Sequence, residues 1–392
     1  MIKVPGFLGC GISSGIKKNG RKDLGLIFSK VPAKVSGVFT TNVVKAAPVL
    51  LGMERVKSGY CQAIVINSGN ANVGTGKRGL KDANLTAKLV ANELKIDESL
   101  VIPSSTGVIG VYLNMEKIKS AIPNLVSELS EDGLSNTAEA IMTTDRFPKY
   151  AEAQIRVDGK TGTICAIGKG AGMIAPYMAT MLCFILTDIN IDRKAQKIAL
   201  KNAVDVSFNR IIVDGDMSTN DTVLMLSNGT LENRLIKVGD KNYRKLEKAL
   251  TELTTEVAEM IVRDGEGATK VVRIIVKGAK NRKDAEKISR TIGSSLLVKT
   301  ALYGEDANWG RVLAAAGRAG VKFDPLKVDL YFGDHRIVKN GAEIMDESRV
   351  NHILRSPSFT ITLDLKGGKS SYFVIASDIT MDYLKLNAQY RT

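Results

Sequence analysis

The spacing of apolar and polar residues predicts a chain of mixed helices and strands. Residues 77–96, KRGLKDANLTAKLVANELKI, carry apolar side chains at helical spacing, and so do residues 191–208, IDRKAQKIALKNAVDVSF. Residues 242–267 read as a long amphipathic helix ending at Gly265. Residues 114–130 are helix-like, with Pro123 as a kink or boundary. Further helices are predicted within 283–304 and 309–320. The Val- and Ile-rich stretches GVFTTNVVKAAPVL (37–50), CQAIVIN (61–67), TKVVRIIVKGAK (269–280) and KVDLYFG (327–333) read as strands.

Two segments read as paired strands. In 151–170 the Asp158-Gly159 pair supplies a hairpin turn. In 359–378, FTITLDL and KSSYFVIASD flank Gly367-Gly368. TMLCFILTD (180–188) has the length and apolarity of a fully buried strand. Strands arrive through hairpins as often as through helical crossovers. This favours stacked, largely antiparallel sheets covered by helices over a doubly wound parallel sheet. No repeat and no flexible linker marks a boundary.

Composition narrows the function. The 392 residues are 44% hydrophobic and 24% charged, as in ordinary globular proteins. The longest apolar run, about 14 residues, is too short to span a bilayer, so no membrane partner is expected. The opening MIKVPGFLGCGISSG lacks the charged-then-apolar order of a signal peptide, and a soluble cytoplasmic protein is expected. Cys10, Cys61, Cys165 and Cys183 form no CxxC pair and read as small core residues. The net charge of +14 is spread along the chain without long basic runs, which argues for anionic small substrates over nucleic acid.

Only two histidines occur, His335 and His352, so an imidazole-based triad or a multi-histidine metal site is short of material. GTGKRG (74–79), GKGAG (168–172) and GEGATK (265–270) combine glycine with lysine, yet none fits a phosphate-binding loop. NSGNANVGTG (67–76) reads as a polar turn after a strand. PSSTGVIG (103–110) has the look of an oxyanion loop, in which a hydroxyl and a main-chain N–H converge. Behind the glycine-rich GKGAGMIAP, Thr180 sits in an apolar strand. A hydroxyl needs a base, and an N-terminal threonine carries one in its own α-amine. Thr180 gains that amine if its hydroxyl attacks the Ala179 carbonyl, an ester forms, and water hydrolyses it.

KGAGMIAPYMATMLCFILTD, GVFTTNVVKAAPV, NSGNAN, PSSTGVIG, MTTDRFPK, DGDMSTNDTV, RDGEGATK, ALYGEDANWGR and the terminal LNAQYRT resemble the ornithine acetyltransferase (glutamate N-acetyltransferase) family of arginine biosynthesis, from about residue 4 to the end. The resemblance implies an α/β (α+β) fold of stacked β-sheets sandwiched between helices, resembling but topologically distinct from N-terminal-nucleophile hydrolases. It implies self-cleavage at Ala179-Thr180, an α chain 1–179, a β chain 180–392, and an α2β2 heterotetramer. It implies ping-pong transfer of acetyl from N2-acetylornithine through Thr180 to L-glutamate. No cofactor or metal is implied, and acetyl-CoA stays open as an additional acetyl donor. Thr106 and Gly107 match the oxyanion pair. Thr143, Lys169, Thr180, Glu266, Asn387 and Thr392 match substrate contacts, with Thr144 a neighbouring alternative to Thr143. A self-processing N-terminal-nucleophile aminopeptidase or amidase is the rival, since it shares the nucleophile and gives its acyl group to water.

Overall fold

The computed structural model describes residues 2–175 and 181–389. The first sheet is built from β1 (Phe7–Ile12), β2 (Leu24–Phe39), β3 (Tyr60–Asn67), β4 (Val101–Ser105), β5 (Lys149–Val157), β6 (Lys160–Lys169), β7 (Leu182–Thr187) and β9 (Thr222–Ser227). The second holds β8 (Ile211–Ile212), β10 (Val271–Ala279), β11 (Asp329–Phe332), β12 (His335–Lys339), β13 (Ala342–Glu343), β14 (Ser358–Asp364) and β15 (Ser370–Ser377). The helices of the first half are α1 (Ala47–Arg55), α2 (Gly76–Leu94), α3 (Met115–Ser127) and α4 (Leu134–Ala140). Then follow α5 (Arg193–Val206), α6 (Lys241–Arg263), α7 (Arg282–Gly293), α8 (Leu296–Tyr303), α9 (Trp309–Gly317), α10 (Asn351–Leu354) and α11 (Met381–Gln389).

The first sheet runs β4-β3-β2-β9-β7-β6-β5, with β1 also on β2. Every residue of β7 is buried, so both its faces are covered. Side chains alternate across a strand, and those of β7 enter two cores. Cys183 and Ile185 join Ile164, Val223 and Met225 under residues of α5 and α6. Phe184 and Leu186 join Cys165, Ile167 and Leu224, and meet Ile27, Ile64 and Ile66 from the other half of the same sheet. The sheet therefore folds over itself along β2. That strand pairs with β3 mainly through its first half and with β9 through its second, with a register shift between Phe28 and Ala33. A bulge of this kind bends a strand. Residues of α2 and α3 cover the outer face of the β3–β4 half. The layers are helix, sheet, sheet, helix, as expected from sequence.

The second sheet packs against α7, α8 and α9, while Ile211 and Ile375 reach into the core under α6. The hairpin expected in 359–378 is not formed. Both strands exist, but β10 lies between them, parallel to β14 and antiparallel to β15. The glycine pair passes over the end of β10. A Cβ on Gly368 would lie 2.3 Å from the Ala279 carbonyl oxygen, so the glycine serves a close approach and not a tight turn. The strand expected over 37–50 stops at Phe39, and its remainder leads into α1, with Pro48 in the first turn. Proline suits that position because its missing N–H is unneeded there.

The four cysteines are buried and free. His335 and His352 stand edge to face at 5.9 Å, His335 within β12 of the second sheet. Among the described residues no helix is long and apolar enough to cross a membrane, and no group of three or more His, Cys, Asp or Glu side chains could hold a metal ion.

Candidate active site

β3 and β4 are parallel neighbours, and the loops leaving them interlock. Thr106 N–H donates to the Asn67 carbonyl at 2.9 Å. Asn67 Nδ2 donates to Ser105 Oγ at 2.6 Å, and Asn220 Nδ2 donates to the Ala71 and Ser105 carbonyls, both at 2.7 Å. Gly107 adopts φ 127°, and a Cβ there would lie 2.6 Å from the Gly69 carbonyl carbon. Only glycine fits, and the Thr106–Gly107 peptide is held rigidly. The asparagine-rich turn is thus the frame of this loop, a role that turn propensity alone does not reveal.

Lys169 ends β6 opposite Leu182 of β7. It is 2% exposed, and its Nζ donates to Thr143 Oγ1 at 2.7 Å and to Thr106 Oγ1 at 3.4 Å. Burial lowers the Lys169 ammonium from its ordinary value, and Asp145, 3.7 Å away, pulls it back up. Asp145 also accepts Thr143 N–H and Gly170 N–H, each at 2.8 Å, and Lys149 Nζ at 2.7 Å. Burial alone would push the Asp145 carboxyl up, but Lys169, Lys149 and the Thr143 N–H hold it well below the usual carboxylate range. Lys149 bridges to Asp264 at 2.5 Å, and all three side chains are fully buried. Breaking one member of such a network strands a charge.

Asp264 caps the end of α6 and leads to Glu266. Glu266 N–H donates to the Ala171 carbonyl at 2.9 Å. A Cβ on Gly172 would lie 2.5 Å from the Glu266 carboxyl carbon, so Gly172 leaves room for that side chain. Asn387, on α11, donates from Nδ2 to Glu266 Oε2 at 2.9 Å. Asp214 accepts the N–H groups of Met173 at 2.6 Å and Ile174 at 2.9 Å, while burial pushes its carboxyl up to about 6.

Thr106, Gly107, Thr143, Lys169, Glu266 and Asn387, chosen from sequence, all line one cleft of about 290 Å³. Thr144 lines it too, with Asp214, Asp216 and Tyr383, which sequence reasoning did not single out as site residues. Thr143, not Thr144, receives the Lys169 hydrogen bond. Ala179, Thr180 and Thr392 lie outside the described residues. The chain is described again from Met181, whose N–H donates to Asp221 Oδ1 at 3.0 Å. A roomier cleft of about 370 Å³ elsewhere, lined by Gly278, Asp284, Phe323 and Lys366 among others, holds none of the predicted residues.

The cleft joins one buried ammonium, two bonded hydroxyls and three carboxylates, a set suited to a zwitterionic amino acid. A folded-over sheet between helix layers, with such a cleft beside the start of an inner strand, defines a small-molecule enzyme of the α/β class. The chain belongs to the ArgJ family, whose model matches residues 9–392. It is 48% identical to the arginine biosynthesis bifunctional protein ArgJ of Geobacter sulfurreducens, over the whole of both chains. It is also 48% identical to the protein of that name from Thermotoga neapolitana, over 99% of each chain. A crystal structure of the Bacillus halodurans ArgJ protein is 37% identical, with a TM-score of 0.52, covering 54% of this chain and all of that one.

Proposed function

We propose that the chain transfers an acetyl group from N2-acetylornithine to L-glutamate through an acetyl ester on Thr180. The observation that carries this reading is the convergence of Thr106, Gly107, Thr143, Lys169, Glu266 and Asn387 on one cleft. Lys169 pairs with the substrate α-carboxylate, and Glu266 faces the ornithine side-chain ammonium. The Thr106 hydroxyl and the N–H at Gly107 receive the oxyanion that forms as Thr180 attacks the acetyl carbonyl. Ornithine leaves, glutamate enters the same cleft, and its amine takes the acetyl group.

Thr180 becomes a nucleophile with its own base only after the Ala179-Thr180 bond is cut. The sheet order supports a cut that leaves the halves together. β7 and β9, from residues after the cut, lie between β2 and β6, from residues before it. The α chain 1–179 and β chain 180–392 would remain one catalytic unit, and their pairing as α2β2 follows the family resemblance. The name "bifunctional" carried by the relatives motivates acetyl-CoA as an alternative donor to the same threonine.

The test uses purified full-length protein. Denaturing electrophoresis and N-terminal sequencing should find a fragment beginning Thr-Met-Leu. Deacetylation of N2-acetylornithine should require glutamate. Equal deacetylation without glutamate would favour the aminopeptidase or amidase reading. Acetylglutamate formed from acetyl-CoA and glutamate alone would establish the second donor.

A further inference from the structure

Asp221 is fully buried and immediately precedes β9. Its backbone is pinned, because its carbonyl accepts Thr40 N–H at 3.0 Å. Its Oδ1 accepts Met181 N–H at 3.0 Å. Its Oδ2 is also buried, with no hydrogen-bond partner among the described residues. A buried acceptor left unpaired is unfavourable, and this one shares its carboxyl with the oxygen that holds the Met181 N–H. Met181 N is the next backbone nitrogen after that of residue 180, three bonds along the chain. The two oxygens of one carboxyl can each meet one of two such nitrogens.

We propose that Asp221 is a positioning residue that receives the α-amine freed at Thr180, completing a hydroxyl–amine–carboxyl relay. The inference rests on the reading that the Ala179-Thr180 bond is cut. In cleavage the Thr180 oxygen bonds to the Ala179 carbonyl carbon, the C–N bond breaks, and the nitrogen leaves with the hydroxyl proton as a free amine. Water then hydrolyses the ester. In acetyl transfer that amine takes the hydroxyl proton as the oxygen bonds to the acetyl carbon. The bond to the ornithine nitrogen breaks, and that nitrogen departs with the proton. The ammonium exists between these two events, and a carboxylate at Asp221 stabilises it, as the carboxylate behind a catalytic imidazole does.

The surroundings fit this role. Burial drives the Asp221 carboxyl well above its usual range, while the Met181 N–H just before β7, the neighbouring hydroxyls of Thr40 and Ser218, neither of which donates to Oδ2, and the Lys169 ammonium of β6 pull it down.

The experiment compares mature wild type with Asp221→Asn, after mass spectrometry has shown which chains begin at Thr180. In Asp221→Asn the acid limb of the kcat/KM profile for N2-acetylornithine should move down by about one pH unit, since the amine loses a neighbouring negative charge. Its kcat should fall at least about tenfold, with KM within about twofold. In ¹⁵N-threonine-labelled wild type, the α-amine should titrate above the free-peptide value of about 7.7–8.0. An unchanged limb and kcat in cleaved, folded Asp221→Asn would overturn the proposal. So would a free-peptide titration in wild type, which decides the matter even if the variant does not fold. If no wild-type chain begins at Thr180, the self-cleavage reading fails and Asp221 has no amine to receive. Cleavage with an unshifted amine overturns the role of Asp221 alone.

Discussion

Lys169 Nζ lies 2.7 Å from Thr143 Oγ1 and 3.4 Å from Thr106 Oγ1, so one buried ammonium joins two hydroxyls of the cleft. Both hydroxyls, one in the loop after β4 and one in the loop after α4, are thereby tied to the end of β6.

Thr143→Val removes the acceptor of a charged donor. Such a bond contributes about 1.5–3 kcal/mol, so kcat/KM for N2-acetylornithine should fall at least about tenfold. Thr144→Val should cost much less. Steady-state assays of the two variants side by side settle which threonine serves the substrate, and equal losses would remove the distinction.

Thr106→Ala deletes the hydroxyl proposed as an oxyanion donor. Acetyl transfer should slow by about 10²–10³, while thermal unfolding stays near that of wild type. The proposed cleavage passes through a similar oxyanion, so fragment formation should slow as well. A variant with normal maturation and normal turnover would make Thr106 a mere loop residue.

Gly172→Ala puts a methyl group 2.5 Å from the Glu266 carboxyl carbon. Glu266 must swing away, and its bond to Asn387 should break. KM for N2-acetylornithine should rise more than kcat falls. A crystal structure of the variant with Glu266 in place, or an unchanged KM, would contradict this.

Asp145→Asn should destabilise the fold by about 3–5 kcal/mol at neutral pH, as expected when one member of a buried charge network is removed. The folded carboxyl titrates below its unfolded value of about 3.9. Its contribution is therefore complete above that value and is lost as pH falls beneath it. Urea midpoints from pH 7 to pH 3 should drop more steeply in wild type than in the variant. Parallel curves would show that Asp145 is not a source of acid sensitivity.

Much of the fold was legible because period and turn chemistry agreed. The long helix α6 and the β5–β6 hairpin appear where spacing and Asp158-Gly159 place them. Strand partnership was not legible. Nothing local in FTITLDL or KSSYFVIASD tells that β10, some eighty residues earlier, takes a place between them. The site was legible where it rests on small and hydroxyl residues in distinctive motifs. Asp145, Lys149 and Asp264 were not, because a charged residue in sequence gives no sign of burial, and their meaning comes only from meeting each other.

The interleaving of β7 and β9 between β2 and β6 imposes an order of events. Residues on both sides of the Ala179-Thr180 bond must be woven into one sheet before Lys169 can face Leu182 and Asp221 can hold the Met181 N–H. If the proposed self-cleavage holds, a polypeptide that has not completed this weave has no means of severing itself and no nucleophile to offer. The shorter bands on a denaturing gel are then a tally of molecules that finished folding, and a residual full-length band counts those that did not.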